Sequence, residues 1–324
     1  MTRRALVLMG ASLAGLVVMV AGGCTSGTAR AEEAVVPATS TEAEKANTLE
    51  AQFLGLSSGP LRVALLTDLP GDLLLRAGDV SITRAQLQAE IDRQAKGGAG
   101  EEVRRYPFFL LENLATEALL KAEARVWAAE NGQTTADGAP IDAYLQSVAD
   151  RVTIDDAELR AFFDDNPQMF DGASFETVAN HLRDYLLYTK QQAAVEEHVA
   201  SLSERHPVEV DAAFAAEAAK TELANAVDEA RRAGRPVIVD FGAEGCEPCD
   251  MMTPILAELQ SELAGKCTVL FLPVREQPLV AARYGIRSIP VQVFFDAQGR
   301  EVYRHVGFLP KNEILNKLAE MGVE

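Results

Sequence analysis

The stretch Asp240-Phe-Gly-Ala-Glu-Gly-Cys-Glu-Pro-Cys-Asp-Met-Met-Thr-Pro254 sets Cys246 and Cys249 two residues apart in a chain of 324 residues with only four cysteines. A structural zinc site takes four ligands, usually two cysteine or histidine pairs. The other candidates, Cys24, Cys267, His181, His198, His206 and His305, are not paired at ligand spacing, so neither a metal nor another cofactor is expected. A purely structural disulfide across so short a loop would constrain the unfolded chain little. The spacing points instead to a working redox pair, with Pro248 stiffening the loop between the two sulfurs.

The flanking sequence gives this pair a setting. Val237-Ile-Val-Asp-Phe241 reads as a buried strand and the cysteines open the helix that follows, with Pro254 kinking it. A helix over 212–232 precedes the strand. After the cysteine helix come a strand over 268–274, a helix over 278–284, two strands around the Gln298-Gly299 turn, and a helix from Lys311. Helices alternating with strands and then a hairpin imply a mixed sheet covered by helices on both faces. At a helix N-terminus Cys246 gains thiolate character from unsatisfied N–H groups and the helix dipole, which makes it the attacking sulfur. Cys249, one turn further in, is the resolving sulfur. Asp240 among apolar neighbours would be an expensive buried carboxylate if it were only structural.

With Tyr284-Gly-Ile-Arg-Ser-Ile-Pro290 added to these motifs, residues 211–324 resemble the thioredoxin family. The resemblance implies an α/β thioredoxin fold and a protein-disulfide oxidoreductase. It implies that Asp240 moves the proton of the resolving cysteine, and that Ile289 and a cis Pro290 hold extended client backbone. The chain departs from the family pattern at four positions. Gly242 and Gly245 stand where tryptophans are usual, Glu247 replaces a glycine and Asp250 a lysine. Losing the tryptophans is expected to strip apolar contact area from around the nucleophile. The two acids disfavour the Cys246 thiolate, which destabilises the reduced form and favours the reductase or isomerase direction. Cys267, Met251 and Met252 read as packing residues.

At the other end, Arg3 and Arg4 precede an uncharged apolar run over 5–20, the composition of a targeting signal. Ala21-Gly22-Gly23-Cys24 resembles a bacterial lipoprotein signal, which implies removal of residues 1–23 and lipidation of Cys24. Thr25, where aspartate would retain such a protein in the inner membrane, favours the outer membrane. The expected location is the cell envelope, lipid-anchored and facing the periplasm, where cysteine pairs persist as disulfides. Residues 24–60, rich in Ala, Thr, Ser and Glu, read as a flexible tether.

Residues 61–210 read as mostly helical, with a short hairpin over 73–82 and a capping box at Thr83 and Gln86. Pro107 starts a helix, Asp155 caps a short one, and a long helix runs from Ser174. The segments RAGDVSITRAQLQAEI (76–91), VTIDDAELRAFFDDNPQMF (152–170) and SFETVANHLRDYLLYTKQQAAVEEHVASL (174–202) resemble the N-terminal chaperone region of SurA-type and parvulin-type folding factors. That likeness implies a helical, peptide-binding SurA-N-like domain. Only Asp171-Gly-Ala173 lies where a parvulin isomerase domain is often inserted, so prolyl isomerase activity is not implied.

A formal net charge of −18 excludes a general nucleic-acid binder, since such a surface repels phosphates. The expected partners are unfolded or misoxidised exported proteins, a membrane thiol electron donor of the DsbD type, and the membrane through the lipid. Two further readings stay open: an envelope chaperone or assembly factor using the thioredoxin fold as a docking module, and a dedicated reductase in cytochrome c maturation.

Overall fold

A computed structural model describes residues 46–133, 140–165, 170 and 172–323. The targeting segment, Cys24 and the tether as far as residue 45 lie outside the described residues. Two compact units emerge, one joining residues 46–114 with 207–323 and the other formed by residues 115–206. Residues 61–114, grouped by sequence with the helical region, thus share a unit with the C-terminal domain. Among the described residues no helix is long and apolar enough to cross a membrane.

The expected tether ends before residue 60. Thr48 caps a short helix, α1 (Leu49–Gln52), and Leu49 and Leu56 are 0% exposed. Fully burying a leucine stabilises by about 1.5–3 kcal/mol, enough to fix a segment whose average composition looks like linker. A short β-strand, β1 (Leu65–Thr67), is followed by the hairpin β2 (Leu73–Ala77) and β3 (Val80–Thr83), turned at Gly78 with φ 56°. Helix α2 (Arg84–Gln94) starts with the expected reciprocal cap: Gln86 N–H donates to Thr83 Oγ1, and Thr83 N–H donates to Gln86 Oε1 at 2.8 Å.

Helix α3 (Pro107–Glu130) begins in the first unit, where Glu222 accepts from the N–H groups of Phe108 and Phe109 at 2.5 and 3.3 Å. Those N–H groups have no partner within the helix, so a buried carboxyl that accepts from them answers a local need, and burial pushes that carboxyl up to about 8. In the second unit follow α4 (Ile141–Ala149), α5 (Asp156–Asp165), α6 (Phe175–Ala200) and α7 (Leu202–Arg205). Asp155 accepts from Glu158 N–H at 2.8 Å to cap α5, and Leu159, Leu182 and Leu186 form a small core with the rings of Phe163 and Phe175.

The chain then re-enters the first unit through β4 (Glu209–Asp211), which runs parallel to β1 and antiparallel to β2, giving sheet order β1-β4-β2-β3. The expected helix over 212–232 is broken into α8 (Ala212–Glu222) and α9 (Ala226–Arg231). Asn225 causes the break, because its side chain accepts from Val227 and Asp228 N–H and starts a new helix.

The second sheet comprises β5 (Val237–Gly242), β6 (Thr268–Pro273), β7 (Val291–Phe295) and β8 (Glu301–Val306), in order β6-β5-β7-β8. β5 and β6 are parallel and the other pairs antiparallel. Every residue of β5 is buried, as its continuous apolar run requires. On one face α10 (Glu247–Glu262) and α12 (Lys311–Glu320) pack Met252, Leu256, Leu259, Ile314 and Leu318 against Ile238 and Phe294. Helix α11 (Pro278–Arg283) leads into Tyr284, whose ring lies 5.5 Å from that of Phe241 and 6.0 Å from that of Phe295.

Candidate functional site

Strand β5 ends at Gly242, and Gly245, with φ 73°, turns the chain into α10. Cys246 is the N-cap of α10 and Cys249 lies in its first turn; the two are joined by a disulfide with a Cα–Cα distance of 5.2 Å. Their exposures differ as their positions dictate: Cys246 is partly exposed and Cys249 is 3% exposed. Pro248 occupies the first turn, where no N–H is needed, and Glu247 and Asp250 are exposed beside it. Pro254 lies within α10, which runs through it. Met252 is core, whereas Met251, expected as packing, is 50% exposed. Cys267 is buried in the sheet core, and burial pushes its thiol up to about 11.

Below the disulfide a row of side chains crosses the sheet. Asp240 pairs in register with Phe271 on β6 and with Gln292 on β7, so the three stand side by side. Asp240 is 0% exposed; Gln292 Nε2 donates to its Oδ1 at 2.6 Å, while Oδ2 has no hydrogen-bond partner among the described residues. Burial pushes the carboxyl up to about 6, against the opposing pull of the Gln292 bond. A methyl group added at Gly242 would lie 2.8 Å from Phe271 Cε2 and 3.4 Å from both Asp240 Oδ2 and Cys249 Cβ. The free carboxyl oxygen and the buried cysteine therefore border one small gap, roofed by the ring of Phe271.

The Ile289–Pro290 peptide bond is cis, and Pro290 C=O accepts from Gly307 N–H at 2.8 Å. Since Phe241 pairs with Val291, Pro290 reaches the same end of the sheet from which β5 runs on to Cys246. Ile289 is partly buried there. The described structure thus gathers Asp240, Cys246, Glu247, Pro248, Cys249, Asp250, Ile289 and Pro290 at one end of one sheet. Gln292 and Phe271 were missed by the sequence reading. A lone polar residue inside Val291-Gln-Val-Phe-Phe295 was the available signal for Gln292; for Phe271 there was none without the strand register. Phe271, 43% exposed, sets apolar surface beside Gly242, one of the two positions where tryptophans are absent.

A cysteine pair bridged across the first turn of a helix, backed by a buried acid, belongs to the thiol-disulfide oxidoreductases. Residues 223–322 match the family model described as a thioredoxin-like domain. The thioredoxin of Rickettsia felis is 44% identical over 81 residues, 25% of this chain and 76% of the relative. That of Alicyclobacillus acidocaldarius is 40% identical over 93 residues (29% and 88%), and thioredoxin 2 of Chlorobaculum tepidum is 45% identical over 83 residues (26% and 75%). Through its C-terminal domain the chain belongs to the thioredoxin family.

Proposed function

We propose that the protein is an extracytoplasmic thiol-disulfide oxidoreductase working in the reductase or isomerase direction on exported protein clients. The observation that carries this reading is the graded burial of the cysteine pair, one sulfur partly exposed and the other enclosed beside Asp240. In the reduced protein the Cys246 thiolate attacks a client disulfide. A Cys246–client S–S bond forms, the client S–S bond breaks, and one client sulfur leaves as thiolate. Asp240 then takes the Cys249 proton, and the Cys249 sulfur attacks Cys246 Sγ, releasing the second client thiolate and leaving the Cys246–Cys249 disulfide. Two electrons pass to the client, and a membrane thiol donor of the DsbD type restores them.

Glu247 and Asp250 set negative charge beside the attacking sulfur, which opposes the helix terminus and makes the pair more reducing. Ile289 and Pro290 hold client backbone. A lipid on Cys24 ties the protein to the envelope, with the outer membrane favoured, and the SurA-N-like helical region holds unfolded clients while their disulfides are attacked.

Reduction of insulin by the full chain is the direct test, with Cys246→Ser inactive and wild type turning over repeatedly when dithiothreitol supplies electrons. Equal activity, or none in either protein, refutes the oxidoreductase reading. Equilibration with glutathione tests its direction, and a potential as oxidising as about −120 mV would reverse it.

A further inference from the structure

Strand β7 is buried at every residue, and Gln292, at 0% exposure, is its one polar member. An apolar side chain would fill that position at lower cost, since a buried amide loses its hydration and must recover it in hydrogen bonds. Gln292 recovers only part. Its Nε2 donates to Asp240 Oδ1 at 2.6 Å, while its Oε1 lies buried without a hydrogen-bond partner among the described residues. A side chain that leaves its own acceptor unpaired is a poor structural choice, and the one bond it makes points to its use.

The strand register fixes what else Asp240 meets. Phe271, Asp240, Gln292 and His305 stand in one row across β6, β5, β7 and β8. Phe271 brings no titratable group, and Nε2 of His305 lies 3.2 Å from Phe308 C=O. Helix α10 brings Cys249, while its acids Glu247 and Asp250 are exposed. Among the described residues, Gln292 is the only side chain hydrogen-bonded to Asp240. It holds Oδ1 on the β7 side and leaves Oδ2 toward the gap that Cys249 Cβ also borders. A cation in place of the amide would hold the acid ionised and weaken it as a base, and an apolar side chain would favour the protonated acid. A neutral donor keeps both forms within reach.

We infer that Gln292 is a positioning residue for the resolving half of the reaction: its amide turns the free carboxyl oxygen of Asp240 toward Cys249 and sets the pH range over which the Cys249 proton is taken. The inference rests on the oxidoreductase reading and adds to it a control on when the mixed disulfide is released. Burial and the Gln292 bond pull the Asp240 carboxyl in opposite directions, so losing the bond moves the acid further upward.

Stopped-flow reaction of the reduced full-length protein with excess 5,5′-dithiobis(2-nitrobenzoate) separates the two halves. Cys246 thiolate attacks the reagent, a Cys246–thionitrobenzoate disulfide forms, and one thionitrobenzoate leaves. Asp240 then takes the Cys249 proton, the Cys249 sulfur attacks Cys246 Sγ, and the second thionitrobenzoate leaves in a phase independent of reagent concentration. Gln292→Met keeps the size and removes the donor. It should slow the second phase about tenfold at pH 6, the scale of one lost hydrogen bond to a charged group, and move its pH midpoint upward. Gln292→Lys, which keeps a donor and adds charge, should move the midpoint downward. In an Asp240→Asn background, Gln292→Met should change the second phase by less than about twofold, because the amide acts through the acid. Urea unfolding checks the fold of each variant. An unchanged midpoint in either folded variant, a shift in the same direction in both, or equal slowing with and without the acid overturns the inference and leaves the oxidoreductase reading standing. If wild type releases no thionitrobenzoate, or Cys246→Ser releases it as wild type does, the oxidoreductase reading fails and the role of Gln292 with it.

Discussion

Gln292 Nε2 donates a 2.6 Å hydrogen bond to Oδ1 of Asp240, while Oδ2 of the same carboxyl lies buried without a partner among the described residues, facing the gap beside Cys249. One oxygen is held and the other is left for chemistry. An amide donor steadies the carboxylate without supplying the full charge that would keep it ionised in a buried site.

That half-satisfied state has a measurable cost. With its pKa raised from 3.8 to about 6, folded Asp240 keeps its proton where the unfolded chain has lost it. Stability is therefore lost as pH rises from about 4 to about 6, and the loss persists above that window. Asp240→Asn removes this dependence. Relative to wild type, the oxidised variant should gain up to about 3 kcal/mol at pH 7–8 and progressively less as pH falls toward 4. Urea unfolding across that range measures the difference; a difference that does not change with pH would show that Asp240 is not a buried acid with a raised pKa.

Gly242 and Phe271 form a second coupled pair. A Cβ at Gly242 would lie 2.8 Å from the Phe271 ring, closer than real contacts allow, so Gly242→Ala should displace the ring and cost about 1–3 kcal/mol. Phe271→Ala removes the obstacle. In the double variant the Gly242 penalty should fall by at least half, a coupling that a double-mutant cycle of unfolding free energies reads directly. Strict additivity would mean that the ring does not occupy the space above Gly242.

What the sequence could reveal here was local. The Thr83–Gln86 cap, the Asp155 cap and the cysteine helix are written within four residues of where they act, and each forms as read. The partners of Asp240 are 31 and 52 residues away and are fixed only when β5, β6 and β7 settle into register. The Asn225 break was visible in principle, but the alanine-rich stretch before it and the helix-forming residues after it disguised it as continuous helix. Composition misled at 46–60, where Leu49 and Leu56 bury completely although residues 24–60 taken as a whole are rich in Ala, Thr, Ser and Glu.

The loop carrying Pro290 begins at a buried charge cluster. Asp228 accepts from Arg283, from Tyr284 OH at 2.7 Å and from Asn225 Nδ2 at 2.6 Å, and Arg231 lies 3.6 Å away while its Nε donates to Gly299 C=O. Removing one member of such a cluster leaves a buried charge without compensation. Asp228→Ala should destabilise by about 3–5 kcal/mol, and Asp228→Asn, which keeps the shape and some hydrogen bonds, by less. A loss under about 1 kcal/mol for Asp228→Ala, from urea midpoints, would mean that the guanidinium groups find other partners.

Glu247 and Asp250 flank the partly exposed Cys246 from the first turn of α10, where they favour the helix but oppose a neighbouring thiolate. The two effects separate experimentally. In Glu247→Gln/Asp250→Asn the local negative charge disappears while the side chains keep nearly the same size, so the Cys246 thiolate should form at lower pH. Because both charges are exposed and screened by solvent, the shift is small but its direction is fixed. The pH dependence of iodoacetamide alkylation of the reduced protein reads it, with Cys249→Ser as the background so that a single sulfur reacts. The same double variant should have a more oxidising potential against glutathione, because a stabilised thiolate stabilises the reduced form. The shift should shrink in high salt, since both acids are exposed. An unchanged alkylation profile at low ionic strength would remove the electrostatic basis for the reductase direction and leave only the helix terminus to set the reactivity of Cys246.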